Sequence, residues 1–178
     1  MKIILILILI LSNLNAKNLK GIYLKEFPLN SNNKNTFELG AIYNYFTFGI
    51  ETTTGDIDYL GVNTGFNYYK KITPLIFYTI SGSIGVGKGS KKSLNSNYIS
   101  FGATSSLNYI LHKKYVIGSV LNYKHYLDIT PNTTCNDGSS SDSKGQGTCS
   151  YHGGIKHYNE KIGDFRSLSL GLQLMILF

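Results

Sequence analysis

The sequence predicts an all-β chain folded as an antiparallel up-and-down transmembrane β-barrel, and three observations carry that prediction. Apolar residues recur at every second position over long stretches, the period of a strand with unlike faces. The stretches Leu75–Gly87, Tyr98–Leu111, Tyr115–Tyr123 and Ser167–Phe178 contain no Asp, Glu, Lys or Arg. A soluble sandwich or barrel would place charged side chains on its solvent face. The third is that lysines gather between these stretches, at Lys70 and Lys71, at Lys88, Lys91 and Lys92, and at Lys113 and Lys114.

Composition agrees with a single β-domain. The 178 residues hold 14 Tyr and 19 Gly, and only 15% are charged. That is well below the usual quarter. The formal charge of +7 is spread over short clusters, with no basic stripe or RNA-binding motif, so nucleic acid is not an expected partner.

In chain order, Lys2 is followed by the apolar run Ile3–Leu11 and the stretch SNLNA ending at Ala16. A charged start, a short apolar segment and a small residue form a cleavable signal peptide, residues 1–16. The run is too short for a spanning helix, and no later run approaches the necessary length. Residues 17–178 are then the barrel.

Strands are expected at about 58–70, 75–88, 97–111, 115–128 and 164–178. Asn18–Phe27 and Thr36–Thr53 must supply the others. An even total, with both mature termini on the periplasmic side, requires three strands from that segment, so a turn is placed near Asn44. Eight strands result, with six as the alternative count. Lys70–Pro74 and Leu111–Tyr115 are tight links; Pro28–Asn35, the region of Gly55, Lys88–Ser96 and 129–163 are longer and read as outer loops. The non-greasy face of Gly, Ser, Thr and Asn suits a narrow packed lumen. Tyr59, Tyr68, Tyr69, Tyr98, Tyr109, Tyr115, Tyr123 and Tyr126 lie near strand ends, where an interfacial aromatic girdle is expected.

On these features the chain resembles the small eight-stranded bacterial outer-membrane barrel proteins. That resemblance implies an outer-membrane location with extracellular loops. Its membrane contacts would be lipid and lipopolysaccharide, and the monomer is the expected state. It also implies that the last strand, with Leu174, Ile176 and the terminal Phe178, is the signal read by the barrel-assembly machinery. The long outer loop contains the only cysteines, Cys135 and Cys149. In an exported chain they are expected to form a disulfide, contributing about 3 kcal/mol by chain entropy.

Few residues suggest chemistry. Gly82–Gly89 reads GSIGVGKG, near a phosphate loop, but Gly89 stands where Ser or Thr is needed and no helix pattern follows. Asp137 and Asp142 lack calcium-loop spacing, and the loop carrying them reads as solvated and disordered. His112, His152 and His157 read as solvated. No cofactor or metal is expected.

His125, in LNYKHYLD, shares the parity of Ile117, Leu121 and Tyr123, so it should face lipid near the headgroups. Its setting resembles the outer-membrane lipid A deacylases. These are eight-stranded esterases with a His, a Ser two residues later and a Glu in the last strand. The resemblance puts the catalytic histidine on His125. The serine position holds Leu127, however, and the glutamate position falls near Arg166, so the nucleophile of such a triad is missing. The expected protein is a non-enzymatic barrel acting through its outer loops, in surface interaction or envelope integrity. The alternatives are a His125 esterase and a small pore.

Overall fold

The computed structural model describes residues 19–30, 35–145 and 147–178. The signal peptide expected at 1–16 lies outside them. Eight strands close into one antiparallel barrel: β1 (Lys20–Asn30), β2 (Asn35–Tyr43), β3 (Phe46–Thr54), β4 (Asp58–Lys71), β5 (Ile76–Lys91), β6 (Leu94–His112), β7 (Tyr115–Asp128) and the last strand, β11 (Phe165–Leu177). Each pairs with its chain neighbour, and the seam closes β1 on β11, from Gly21↔Leu177 to Asn30↔Ser169. A register shift between Glu26 and Leu29 interrupts that seam. Closure leaves no sheet edge unpaired.

The turn near Asn44 is present. Asn44 and Tyr45 link β2 to β3, and Asn44 has φ 58, a left-handed conformation that Asn tolerates better than most residues. The expected parities also hold: Leu60, Val62, Ile80, Ile84, Phe101, Leu107 and Leu121 face outward and are exposed. Along β11, Leu168, Leu170, Leu172, Leu174 and Ile176 are exposed, while Ser167, Ser169, Gly171, Gln173 and Met175 are buried. Phe178 lies just past β11, where its N–H donates to the Lys20 carbonyl at 3.0 Å and pins the chain end to β1.

Two expectations about the connections are corrected. The region near Gly55 and the Lys88–Ser96 segment are not long loops: β3 and β4 are joined by residues 55–57, and β5 and β6 by Lys92 and Ser93. The ladder of β5 and β6 simply continues to Lys91↔Leu94, because polar residues pair as well as apolar ones once backbone hydrogen bonds are met. Among the described residues, the long connection is β7–β11. Its described residues are not disordered. It carries a small sheet ordered β10–β8–β9, from β8 (Thr133–Cys135), β9 (Ser140–Ser141) and β10 (Ile155–Tyr158).

Candidate functional site

Three regions hold side chains that can do more than pack: the lumen, the outward face around His125, and the β7–β11 loop. The lumen differs most from expectation. Beside Thr and Asn it contains two lysines and two glutamates, all buried: Lys25, Glu38, Glu51 and Lys124. Glu38 and Glu51 are direct partners across β2 and β3, an arrangement that costs energy unless each carboxylate is answered. Each is. Glu38 accepts from the Tyr23 hydroxyl at 2.7 Å and from Lys25 Nζ at 3.3 Å. Glu51 accepts from Lys124 Nζ and the Tyr126 hydroxyl. In the closed order, β7 lies four strands from β3 in either direction, so the Lys124–Glu51 pair spans the barrel.

Two apolar clusters lie above and below this layer, among buried Thr, Asn and Ser side chains. Leu19, Tyr23, Ile42, Tyr69, Phe77, Val116 and Met175 pack together at the short-turn end. At the loop end Tyr59, Tyr98 and Tyr126 pack with Ile162 and Phe165. Phe165 stacks on Tyr126 at 4.2 Å between centroids, and the Tyr98 hydroxyl donates to the Gly163 carbonyl at 3.1 Å. The loop thus closes the barrel mouth. Glycines make room for these rings: a Cβ on Gly61 would stand 2.1 Å from the Tyr59 hydroxyl oxygen and one on Gly87 2.5 Å from it. Gly61 and Gly87 are themselves register partners.

This corrects the girdle. Tyr59, Tyr69, Tyr98 and Tyr126 are buried in the lumen, whereas Tyr109, Tyr115 and Tyr123 are exposed on the outer face. Position near a strand end does not choose the face; parity does. The four lumen charges were legible by the same rule, since Lys124 alternates with the outward Tyr123 and His125.

His125 faces outward as expected and is half-buried. Its register partners are Phe101 on β6 and Arg166 on β11. The residue at the glutamate position is therefore beside His125, but it is a cation. Leu127, on the same face, supplies no hydroxyl. The Gly82–Gly89 stretch is a continuous part of β5 and forms no phosphate-binding turn.

In the loop, Cys135 and Cys149 are joined, with Cα atoms 5.5 Å apart. The buried Thr133 donates its hydroxyl to the Ser143 carbonyl at 2.7 Å, and Asn136 Nδ2 donates to the Gly153 carbonyl at 2.6 Å. Asp137 accepts from the Ser139 hydroxyl at 2.6 Å and the Ser139 N–H at 2.9 Å, and it pairs with His152 Nδ1 at 2.7 Å. The Ser139 donors, the hydroxyl foremost, followed by His152, hold the Asp137 carboxyl down at about 2. Tyr151 is 96% exposed at the tip. His152 is thus paired with Asp137 rather than merely solvated. Among the described residues no three His, Cys, Asp or Glu side chains gather as metal ligands would.

Residues 131–158 match the family model of a domain of unknown function (DUF3761). The match spans β8 to β10 and stops short of the barrel on both sides. No curated protein matches the chain. Among solved structures, the chain is similar to Neisserial surface protein A, at 10% identity and TM-score 0.43, over 90% of this chain and 96% of that one.

Proposed function

We propose that the protein is an integral outer-membrane barrel, with no catalytic role, that holds a disulfide-closed domain at the cell surface for contact with molecules outside. One observation carries the membrane reading: large apolar side chains from all eight strands are exposed on the outer face, from Ile22 and Leu24 on β1 round to Leu170 and Leu172 on β11. Water would not tolerate so continuous a band, and lipid requires it. Exposed Tyr109, Tyr115 and Tyr123 on the same face, and Lys20 Nζ seated 4.6 Å over the Tyr43 ring, suit the membrane boundaries.

The short-turn end and both mature termini lie in the periplasm in this reading, and the β7–β11 loop lies outside the cell. Export and an oxidising compartment are consistent with the Cys135–Cys149 bond. Lipopolysaccharide and other lipid surround the monomeric barrel, and Leu174, Ile176 and Phe178 engage the assembly machinery during insertion. Esterase activity has no support in the residues beside His125. A pore would require an open lumen, and here aromatic clusters and ion pairs fill it.

The test is fractionation and gel mobility. The mature chain should sediment with outer membranes and run at different positions boiled and unboiled. Trypsin added to intact cells should cut only at the loop-bearing end, in the β7–β11 loop and at the lysines of the other outer connections. Recovery of the mature chain as a soluble periplasmic monomer would overturn the reading.

A further inference from the structure

We infer that the outer face beside the β4–β5 and β6–β7 turns binds an anionic phospholipid of the periplasmic leaflet, with an acyl chain in a furrow and the headgroup among four lysines. The inference rests on the membrane reading above, with the short-turn end in the periplasm. β5 and β6 are neighbours in the closed order, so the two turns stand side by side. Lys70 and Lys71 end β4, and Lys113 and Lys114 form the β6–β7 turn; all four are exposed. Backbone bonds fasten both turns to their neighbours. The Ile110 N–H donates to the Leu75 carbonyl at 2.8 Å, and the Leu177 N–H to the Lys114 carbonyl at 2.7 Å. The charge at this end is one-sided. None of the ten Asp and Glu residues lies at the short-turn end, and among the described residues no carboxylate pairs with any of the four lysines.

Next to the turns the outer face is hollow. The small Ser119 lies in register with Leu107 on one side and Leu172 on the other. It leaves a furrow of about 290 Å³, bounded by these residues with Ile76, Tyr109 and Ile117. Ile76 opens β5 and Ile117 is the third residue of β7, so the furrow begins where the lysine-bearing turns end. An apolar furrow that starts at a cluster of ammonium groups is complementary to an amphiphile, with one acyl chain along the wall and a negative head at its foot. Ammonium groups on flexible stems gather on a phosphate as point charges, with no fixed geometry required. Ile72 and Leu75, exposed within the β4–β5 turn, set apolar groups among the lysines. That mixture suits a membrane surface better than a water-borne anionic polymer such as peptidoglycan.

The experiment is native mass spectrometry of the detergent-purified, disulfide-intact barrel, titrated with dioleoyl phosphatidylglycerol. Dioleoyl phosphatidylcholine and glycerol phosphate are the comparisons. The wild type should hold phosphatidylglycerol about tenfold more tightly than phosphatidylcholine, and glycerol phosphate should not displace it. Lys113→Gln with Lys114→Gln should cut that preference to about threefold, and adding Lys70→Gln and Lys71→Gln should abolish it. Ser119→Phe, which fills the furrow, should weaken both lipids by a similar factor. Lys144→Gln with Lys156→Gln, at the loop end, should bind as the wild type does. The boiled and unboiled gel shift verifies that every variant is folded, and the double variant remains informative if the quadruple one is not. Equal binding of both lipids, displacement by glycerol phosphate, a wild-type preference without Lys113 and Lys114, or unaltered binding in Ser119→Phe would each overturn the inference. So would lysine-dependent capture of the barrel on purified peptidoglycan with no preference between the lipids. A wild-type chain with no gel shift would instead overturn the membrane reading on which the inference rests.

Discussion

At the scale of single residues the lumen ion pairs make the sharpest demand. Lys124, 2% exposed, meets Glu51 from the opposite wall, and neither charge has water to fall back on. Lys124→Met should therefore destabilise the barrel by about 3–5 kcal/mol, whereas Lys124→Met combined with Glu51→Leu should cost much less. The urea midpoint in lipid vesicles, read from the unboiled gel band, is the measurement; equal losses in the two variants would contradict the account. Glu26 presents the reverse case. It is exposed on β1, in register with Phe37 and Leu172, a carboxylate within the apolar outer face. Glu26→Leu should raise the same midpoint, by about 1 kcal/mol in free energy. Asp137 supplies the pH dependence. Its folded value of about 2 lies below the ordinary 3.8, so its contribution is complete above 3.8 and is lost as pH falls through about 2. Loop cleavage by pepsin should rise as the pH is lowered from 4 to 2, and less so in Asp137→Asn, which already lacks the charge.

Among elements, the inner faces of β4 and β5 are set by Gly61 and Gly87, which leave room for the Tyr59 ring. Gly87→Val would drive a side chain into that ring and should cost about 1–3 kcal/mol, seen as a lower urea midpoint, with Gly82→Ala on the outer face near neutral. The contrast was partly legible beforehand: strict alternation puts Gly61 and Gly87 inside and Gly82 outside. What alternation alone does not show is which large ring each glycine accommodates, because Tyr59 reaches them from a different level of the same wall. The β3–β4 and β5–β6 links are shorter than the side-chain pattern suggests for a related reason. Polar residues such as Lys88, Ser90 and Asn95 read as loop, yet backbone pairing extends a hairpin beyond its apolar part whatever the side chains are. The last strand runs where the alternation puts it, and deletion of Phe178, whose N–H donates to the Lys20 carbonyl, should reduce insertion far more than deletion of Ser141. Equal insertion of both deletions would remove the assembly role.

For the whole molecule, a lumen with apolar clusters at both ends and charge pairs between them should pass no ions. Purified protein in planar bilayers should show no conductance steps, and regular steps would restore the pore. Reduction of Cys135–Cys149 should leave the barrel's gel mobility unchanged while making the loop easier to cut, since that bond lies wholly within the β7–β11 connection. A period of two, local turns and a short spacing already carry the all-β class, the outward set of apolar residues and the cysteine pair, and they leave the strand count at eight or six. Folding adds that Glu51 meets Lys124, that Tyr59, Tyr98 and Tyr126 cap the lumen, and that Arg166 stands beside His125. These depend on the register between strands and on the closure that puts β3 opposite β7. Register is a property of paired backbones, and no single strand carries it.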